Sequence, residues 1–226
     1  NMLHGKESAI CTQCYDYEKL GKVTERMTYN RDFADYAPRV NATRDDGKVD
    51  EPSIPVLDVR FSNKCNYKCR ICSSNASSSL YEEEMQLSNV MLTGEKEMKV
   101  AKDETKFMES YFRLLPGVKR VHFAGGEPLF MDEHYKILEH LIAIGNTDVN
   151  LTYNTNFSTL RYKKYRVTEM WNKFRQVDIW ASLDGMGDRG DYQRKGQNWK
   201  NIEENIIAVQ RDCPTAVFGI NVTVSI

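Results

Sequence analysis

Residues 65–72 read CNYKCRIC, which sets Cys65, Cys69 and Cys72 in a C-x3-C-x2-C spacing. The stretch directly follows VLDVRF (56–61), whose apolar residues alternate as in a strand. The cysteines therefore fall on the loop at a strand's C-terminal end, where parallel βα folds place their chemistry. A structural zinc site uses four nitrogen or sulfur ligands. Cys11, Cys14 or Cys213 could supply the fourth. A catalytic zinc with three thiolates is less common. Three thiolates also suit a 4Fe–4S cluster with one iron left free for a small molecule, whereas most clusters take four.

Outward from the cysteines, strand patterns alternate with helical ones. VKRVHFA (118–124), VNLTYN (149–154), VDIWASL (177–183) and a run from about 216 onward read as four further strands. Helices are expected near 76–88, 101–115, 134–144, 159–175 and 199–211, with Gly145 stopping the third of these. The period of two splits each strand. Leu57, Val59 and Phe61 oppose Asp58 and Arg60. Leu151 and Tyr153 oppose Thr152, Asn154 and Asn156. Val177, Ile179, Ala181 and Leu183 oppose Asp178, Trp180, Ser182 and Asp184. Phe218, Ile220, Val222 and Val224 oppose Asn221, Thr223 and Ser225. A flat sheet covered by helices on both sides would be apolar on both faces. One apolar and one polar face predict a curved sheet with helices outside and a polar lumen. Asp58, Arg60, His122, Trp180 and Asn221 face that lumen by parity and are candidate substrate contacts.

After the second strand comes AGGEPLF, with Gly125, Gly126, Glu127 and Pro128. Glycines at a strand end let a ligand approach the backbone closely. A Gly-Gly turn alone is a weak signal. One strand after C-x3-C-x2-C it is strong.

With these motifs, YNTN (153–156) and SLD (182–184), the chain resembles the radical S-adenosylmethionine (SAM) superfamily over nearly all of residues 53–226. The resemblance implies an α/β fold: a partial (β/α)6 TIM-like barrel, here truncated after about five strands. It also implies a 4Fe–4S cluster on Cys65, Cys69 and Cys72, with SAM chelating the fourth iron. By position, Gly125, Gly126, Glu127, Pro128, Asn154, Asn156, Ser182, Asp184 and Arg194 match the SAM-binding residues; Asn221 and Thr223 match less well. The sequence departs from the pattern twice. Ile71 stands where an aromatic residue often precedes the last cysteine, and Phe157 stands where glycine often follows the third-strand motif. The implied partners are SAM, a flavodoxin- or ferredoxin-type electron donor, and a peptide or protein substrate.

Residues 1–33, with CTQC at Cys11–Cys14, resemble the tail of a SPASM or twitch module, as in twitch-domain proteins of phages and bacteria. On that resemblance Cys11 and Cys14 would be ligands of an auxiliary iron–sulfur cluster whose other ligands lie upstream. Residues 34–55, with Pro38, Pro52 and Pro55, read as a linker, and 56–226 as the barrel. Asn1 and the β-branched end AVFGINVTVSI read as cut ends, which would leave an open sheet edge.

The 226 residues are 41% hydrophobic, enough for a sizeable core. The 31 basic and 32 acidic side chains nearly cancel, which gives no electrostatic case for a nucleic-acid or membrane-surface partner. Apolar runs are too short to span a bilayer, and residues 1–10 lack a signal peptide's apolar segment. The expectation is a soluble, cytoplasmic protein whose clustered cysteines serve metal or catalysis. The N-x-S/T sequons at Asn41, Asn75, Asn150, Asn156 and Asn221 are then chance matches. Cys213, before Pro214, reads as a half-buried small residue. The competing reading is a zinc-stabilised binding module using Cys11, Cys14 and the 65–72 cluster. A third is a catalytically dead scaffold, against which the intact cysteines argue.

Overall fold

Alternation within the strands builds the main sheet of the computed structural model, which describes residues 6–50, 52–88 and 95–224. The chain divides into two units, Asn1–Pro52 and Ser53–Ile226.

In the first unit, a 3-10 turn at Ala9–Cys11 leads into α1 (Thr12–Lys19). Next come α2 (Glu25–Asp32), a turn at Ala34–Tyr36 and α3 (Ala37–Asn41), so helix continues into the stretch read as linker. Thr24 caps α2 by accepting from the Met27 amide at 3.4 Å, while Glu18 holds both Thr24 and Arg26. Thr24 is the one buried residue among the described residues of this unit.

The second unit runs β1 (Val56–Val59), β2 (Lys68–Cys69), α4 (Tyr81–Ser88), α5 (Glu104–Phe112), β3 (Arg120–Phe123), α6 (Asp132–Ala143) and β4 (Asn150–Thr155). It continues through β5 (Arg161–Tyr162), β6 (Tyr165–Arg166), α7 (Val167–Trp171), β7 (Gln176–Ser182), α8 (Gly187–Gln193), β8 (Arg194–Lys195), α9 (Trp199–Asp212) and β9 (Val217–Asn221). The sheet has the order β1-β3-β4-β7-β9, with every pairing parallel. This is the expected partial barrel. Ser225 lies outside the described residues.

Register explains the two faces. Leu57, Val121, Leu151 and Val177 form one row, and Val59, Phe123, Tyr153, Ile179 and Phe218 the next. All but Phe218 are buried, together with Ile137, Leu138 and Leu141 of α6 and Ile202 and Val209 of α9. Each such side chain contributes roughly 1.5–3 kcal/mol by leaving water. Trp171 and Phe174 belong to the same core. The opposite face carries Asp58, His122, Thr152 and Asp178 in one row and Asn154, Trp180 and Gly219 in another. β9 ends at Asn221, short of the strand expected to run on from there; Phe218 and Ile220 continue the apolar rows in register, but Ile220 is exposed, as are Val222 and Val224 beyond the strand.

The helix expected over 159–175 is largely absent. Residues 161–166 form a β5–β6 hairpin, and only Val167–Trp171 is helical. Lys163 turns the hairpin with φ 51°, and Tyr162 and Tyr165 stack on Tyr135 at 5.5 and 4.5 Å. Ring packing against α6 overrides the helical spacing. Gly145 ends α6 at φ 73°, as expected. Cys213 is buried, and burial pushes its thiol up to about 11.

Candidate cofactor site at the strand ends

The cysteine loop is held by side chains that carry no thiol. Buried Asn63 donates to the Ser74 carbonyl at 2.7 Å and accepts from the Met98 amide at 2.8 Å. Ser77 donates to the Tyr67 carbonyl at 2.6 Å, Ser79 donates to the Cys65 carbonyl at 2.7 Å, and Ser78 accepts from the Cys65 amide at 3.4 Å. The Ser-rich stretch after the cysteines is thus a set of staples on the loop backbone.

Gly125 and Gly126 follow β3 at φ 76° and 50°. A Cβ on Gly126 would sit 2.3 Å from the Lys64 carbonyl, so this turn packs directly against the residue before Cys65. Glu127 is fully buried and does not face solvent. Its Oε1 accepts from the Thr155 hydroxyl at 2.6 Å and the Leu129 amide at 3.1 Å, and its Oε2 from the Asn156 amide at 2.6 Å. Burial raises its carboxyl to about 7, against the lowering effect of these donors. Asn156 also donates to Asn66 at 2.8 Å and reaches Cys65 Sγ at 3.8 Å.

A second group forms around Cys69. β2 and β8 pair antiparallel, with Cys69 opposite Arg194. Arg194 lies 3.7 Å from Cys69 Sγ and 2.7 Å from Asp184. Hydrogen bonding between the Cys69 and Cys72 thiols lowers Cys72 and raises Cys69. Burial raises Cys65.

The predicted residues therefore fall into two sets: Cys65 with Gly126, Glu127 and Asn156, and Cys69 and Cys72 with Arg194 and Asp184. Pro128 is buried and opens the 3-10 turn Pro128–Phe130 beside the first set. Asn154 accepts from Asn221 at 3.2 Å, and Ser182 lies opposite Asn221 in register. On the polar face Asp58 binds Arg60 at 3.0 Å and lies 3.4 Å from His122. Thr223 reaches the Cys69 set through its amide, which donates to Asp184 at 2.8 Å. Cys11 and Cys14 are free thiols of the first unit, part-exposed at the start of α1. Among the described residues, no three Cys, His, Asp or Glu side chains gather tightly enough to hold one ion as they stand. Sequence reading missed Thr155, Asn66 and Asn63. Thr155 carried a signal, a polar residue at a buried-face position of β4; the two asparagines carried none.

The Radical SAM superfamily model matches residues 59–222, most of the chain. The chain belongs to the radical SAM superfamily. It is 27% identical over 175 residues to the GTP 3',8-cyclase of Staphylococcus epidermidis, covering 76% of this chain and 46% of that protein. It is 22% identical over 176 residues to the 7,8-dihydro-6-hydroxymethylpterin dimethyltransferase of Methanocaldococcus jannaschii, covering 74% and 31%. Streptococcus suis SuiB, solved bound to its precursor peptide SuiA, matches at TM-score 0.53 and 16% identity, over 85% of this chain and 38% of that one. That likeness shows the fold alone. The chain thus spans less than half the length of these relatives.

The residues present fit the superfamily's cofactors. Three thiols on one stapled loop are a soft donor set suited to iron–sulfur. Gly126 brings the turn after β3 against Asn63 and Lys64, the residues that lead into Cys65, and so sets the glycine turn beside the cysteine loop. Among the described residues, no helix is long and apolar enough to cross a membrane.

Proposed function

We propose that this chain carries the catalytic core of a radical SAM enzyme. The observation that supports it most is the C-x3-C-x2-C loop at a strand end, whose leading residues Asn63 and Lys64 pack against Gly126, within the superfamily match. Cys65, Cys69 and Cys72 would hold a 4Fe–4S cluster. When bound, cluster and SAM would supply one-electron cleavage of the sulfonium, giving methionine and a 5'-deoxyadenosyl radical that takes hydrogen from the substrate.

The chain's own residues position and shield. Asn63 and Ser77–Ser79 fix the cysteine loop. Glu127 pins the Gly125–Gly126 turn to the end of β4, leaving turn amides and carbonyls to meet SAM's amino acid end. Asn154, Asn156 and Ser182 line the strand ends for its ribose and sulfonium. Asp58, Arg60, His122, Trp180 and Asn221 offer the substrate a polar lumen.

The substrate proposed is a peptide or protein, in keeping with the twitch or SPASM resemblance of residues 1–33. Cys11 and Cys14 would then be ligands of an auxiliary cluster, and the electron donor a flavodoxin or ferredoxin, in the cytoplasm. A second reading has one structural support. Trp180 lies over Gly219, where a Cβ would be 2.3 Å from the ring, and the residue is 38% exposed. Such a platform suits a planar heterocycle, and the two relatives named for GTP and a pterin fit that class.

The test is anaerobic reconstitution with iron and sulfide, dithionite reduction and addition of SAM. A cluster EPR signal that shifts with SAM, with 5'-deoxyadenosine lost in Cys69→Ala, is the expected result. Stoichiometric zinc uptake without a cluster signal, leaving SAM intact, would overturn the proposal and favour a zinc-stabilised binding module.

A further inference from the structure

We infer that Arg194 is a positioning residue for Cys69 and raises the reduction potential of the cluster the loop would hold. The inference rests on the cluster reading above.

Three observations carry it. First, Arg194 stands opposite Cys69 in the β2–β8 ribbon, and the next rung is closed by the Arg70 amide donating to the Gln193 carbonyl at 2.9 Å. Second, its guanidinium is occupied on two sides: one nitrogen lies 3.7 Å from Cys69 Sγ, and two others lie 2.7 and 3.1 Å from the Asp184 carboxylate. Third, the pair is sealed. The two side chains are 8% and 3% exposed, and Asp184 also accepts from the Thr223 amide at 2.8 Å. By sequence position Arg194 belongs with the SAM contacts; its placement turns it toward a thiol.

Arginine stays protonated under all ordinary conditions. An N–H donor with a fixed positive charge beside a cluster thiolate favours the more negative, reduced state, because hydrogen bonds to sulfur and local net charge set cluster potentials. Asp184 offsets part of that charge and holds the fork in place, since a buried guanidinium without a partner is strongly destabilising. The ion pair of Arg194 with Asp184 alone would be structural. The sulfur contact is what gives it a redox consequence.

The experiment is an EPR-monitored redox titration of the reconstituted chain as wild type, Arg194→Met and Arg194→Lys, with iron content and melting temperature measured alongside. In Arg194→Met the midpoint should move negative, with the reduced-to-oxidised ratio at fixed poise falling about tenfold, or 59 mV for one electron. Arg194→Lys should recover part of the shift. Lysine keeps the buried positive charge beside Asp184 but loses the fork that reaches Cys69, so its smaller negative shift keeps the inference testable if the methionine variant does not fold. An unchanged midpoint in a cluster-loaded Arg194→Met, or in a cluster-loaded Arg194→Lys where the methionine variant does not fold, would overturn it. Failure of the wild-type chain to take up any cluster would instead overturn the functional reading on which it rests.

Discussion

The Thr155 hydroxyl donates to Glu127 Oε1 at 2.6 Å, joining the loop after β3 to the last residue of β4. Both side chains are essentially out of water. Burial raises the Glu127 carboxyl to about 7 from its ordinary 4.5. An acid with a raised folded pKa binds its proton more tightly when folded. Its contribution to stability is therefore full below pH 4.5 and is lost as pH rises through 7. The size is about 3 kcal/mol. Urea unfolding of wild type and Glu127→Gln across that range checks it. The stability of wild type relative to the variant should fall by that amount from pH 4.5 to 7.5, and a flat difference would count against a buried, proton-binding Glu127.

Two glycines with similar φ should respond differently to alanine. Gly126 is left-handed and lies against Lys64, so Gly126→Ala should cost roughly 2–4 kcal/mol from strain and overpacking together. Gly145 is left-handed too, but nothing lies within 4 Å of where a Cβ on it would stand. Gly145→Ala should cost only about 1 kcal/mol. Chemical denaturation of the two variants measures the difference, and equal losses would mean that the Lys64 contact is not tight.

Phe157 adopts φ 57° where the superfamily pattern favours glycine. Its amide donates to Thr155 Oγ1 at 3.0 Å, its carbonyl accepts from Asn205 at 2.9 Å, and its ring packs on Phe218 at 5.1 Å. Phe157→Gly relieves about 1 kcal/mol of backbone strain but removes a fully buried ring worth about 3–5 kcal/mol. The net expectation is a loss of roughly 2–4 kcal/mol in denaturant. A stabilised variant would show that the ring is not packed as described.

Ser77 and Ser79 each hold a carbonyl of the cysteine loop, a contribution of about 1 kcal/mol apiece. In Ser77→Ala/Ser79→Ala, amide hydrogen exchange over residues 65–72 should speed up about 10–30-fold, while β4 and β7 stay protected. Unchanged exchange in the loop would mean that Asn63 alone orders it.

Much of the fold is legible in the residues themselves. Period-two alternation marks the strands and assigns Leu57, Leu151 and Val177 to the buried face, because a one-sided sheet must repeat its chemistry every second residue. The cysteine spacing and Gly125–Gly126 mark the site, because soft-ligand loops and close-approach turns restrict residue type locally. The hairpin at 161–166 is not legible. Its spacing also suits a helix, and the stacking of Tyr162 and Tyr165 on Tyr135 of α6 decides the matter. The tertiary structure alone decides what each polar group faces. Glu127 turns inward to Thr155, and Arg194 turns to Cys69, across sequence separations of 28 and 125 residues. Such partners are set by which strand ends meet, and no local pattern encodes that.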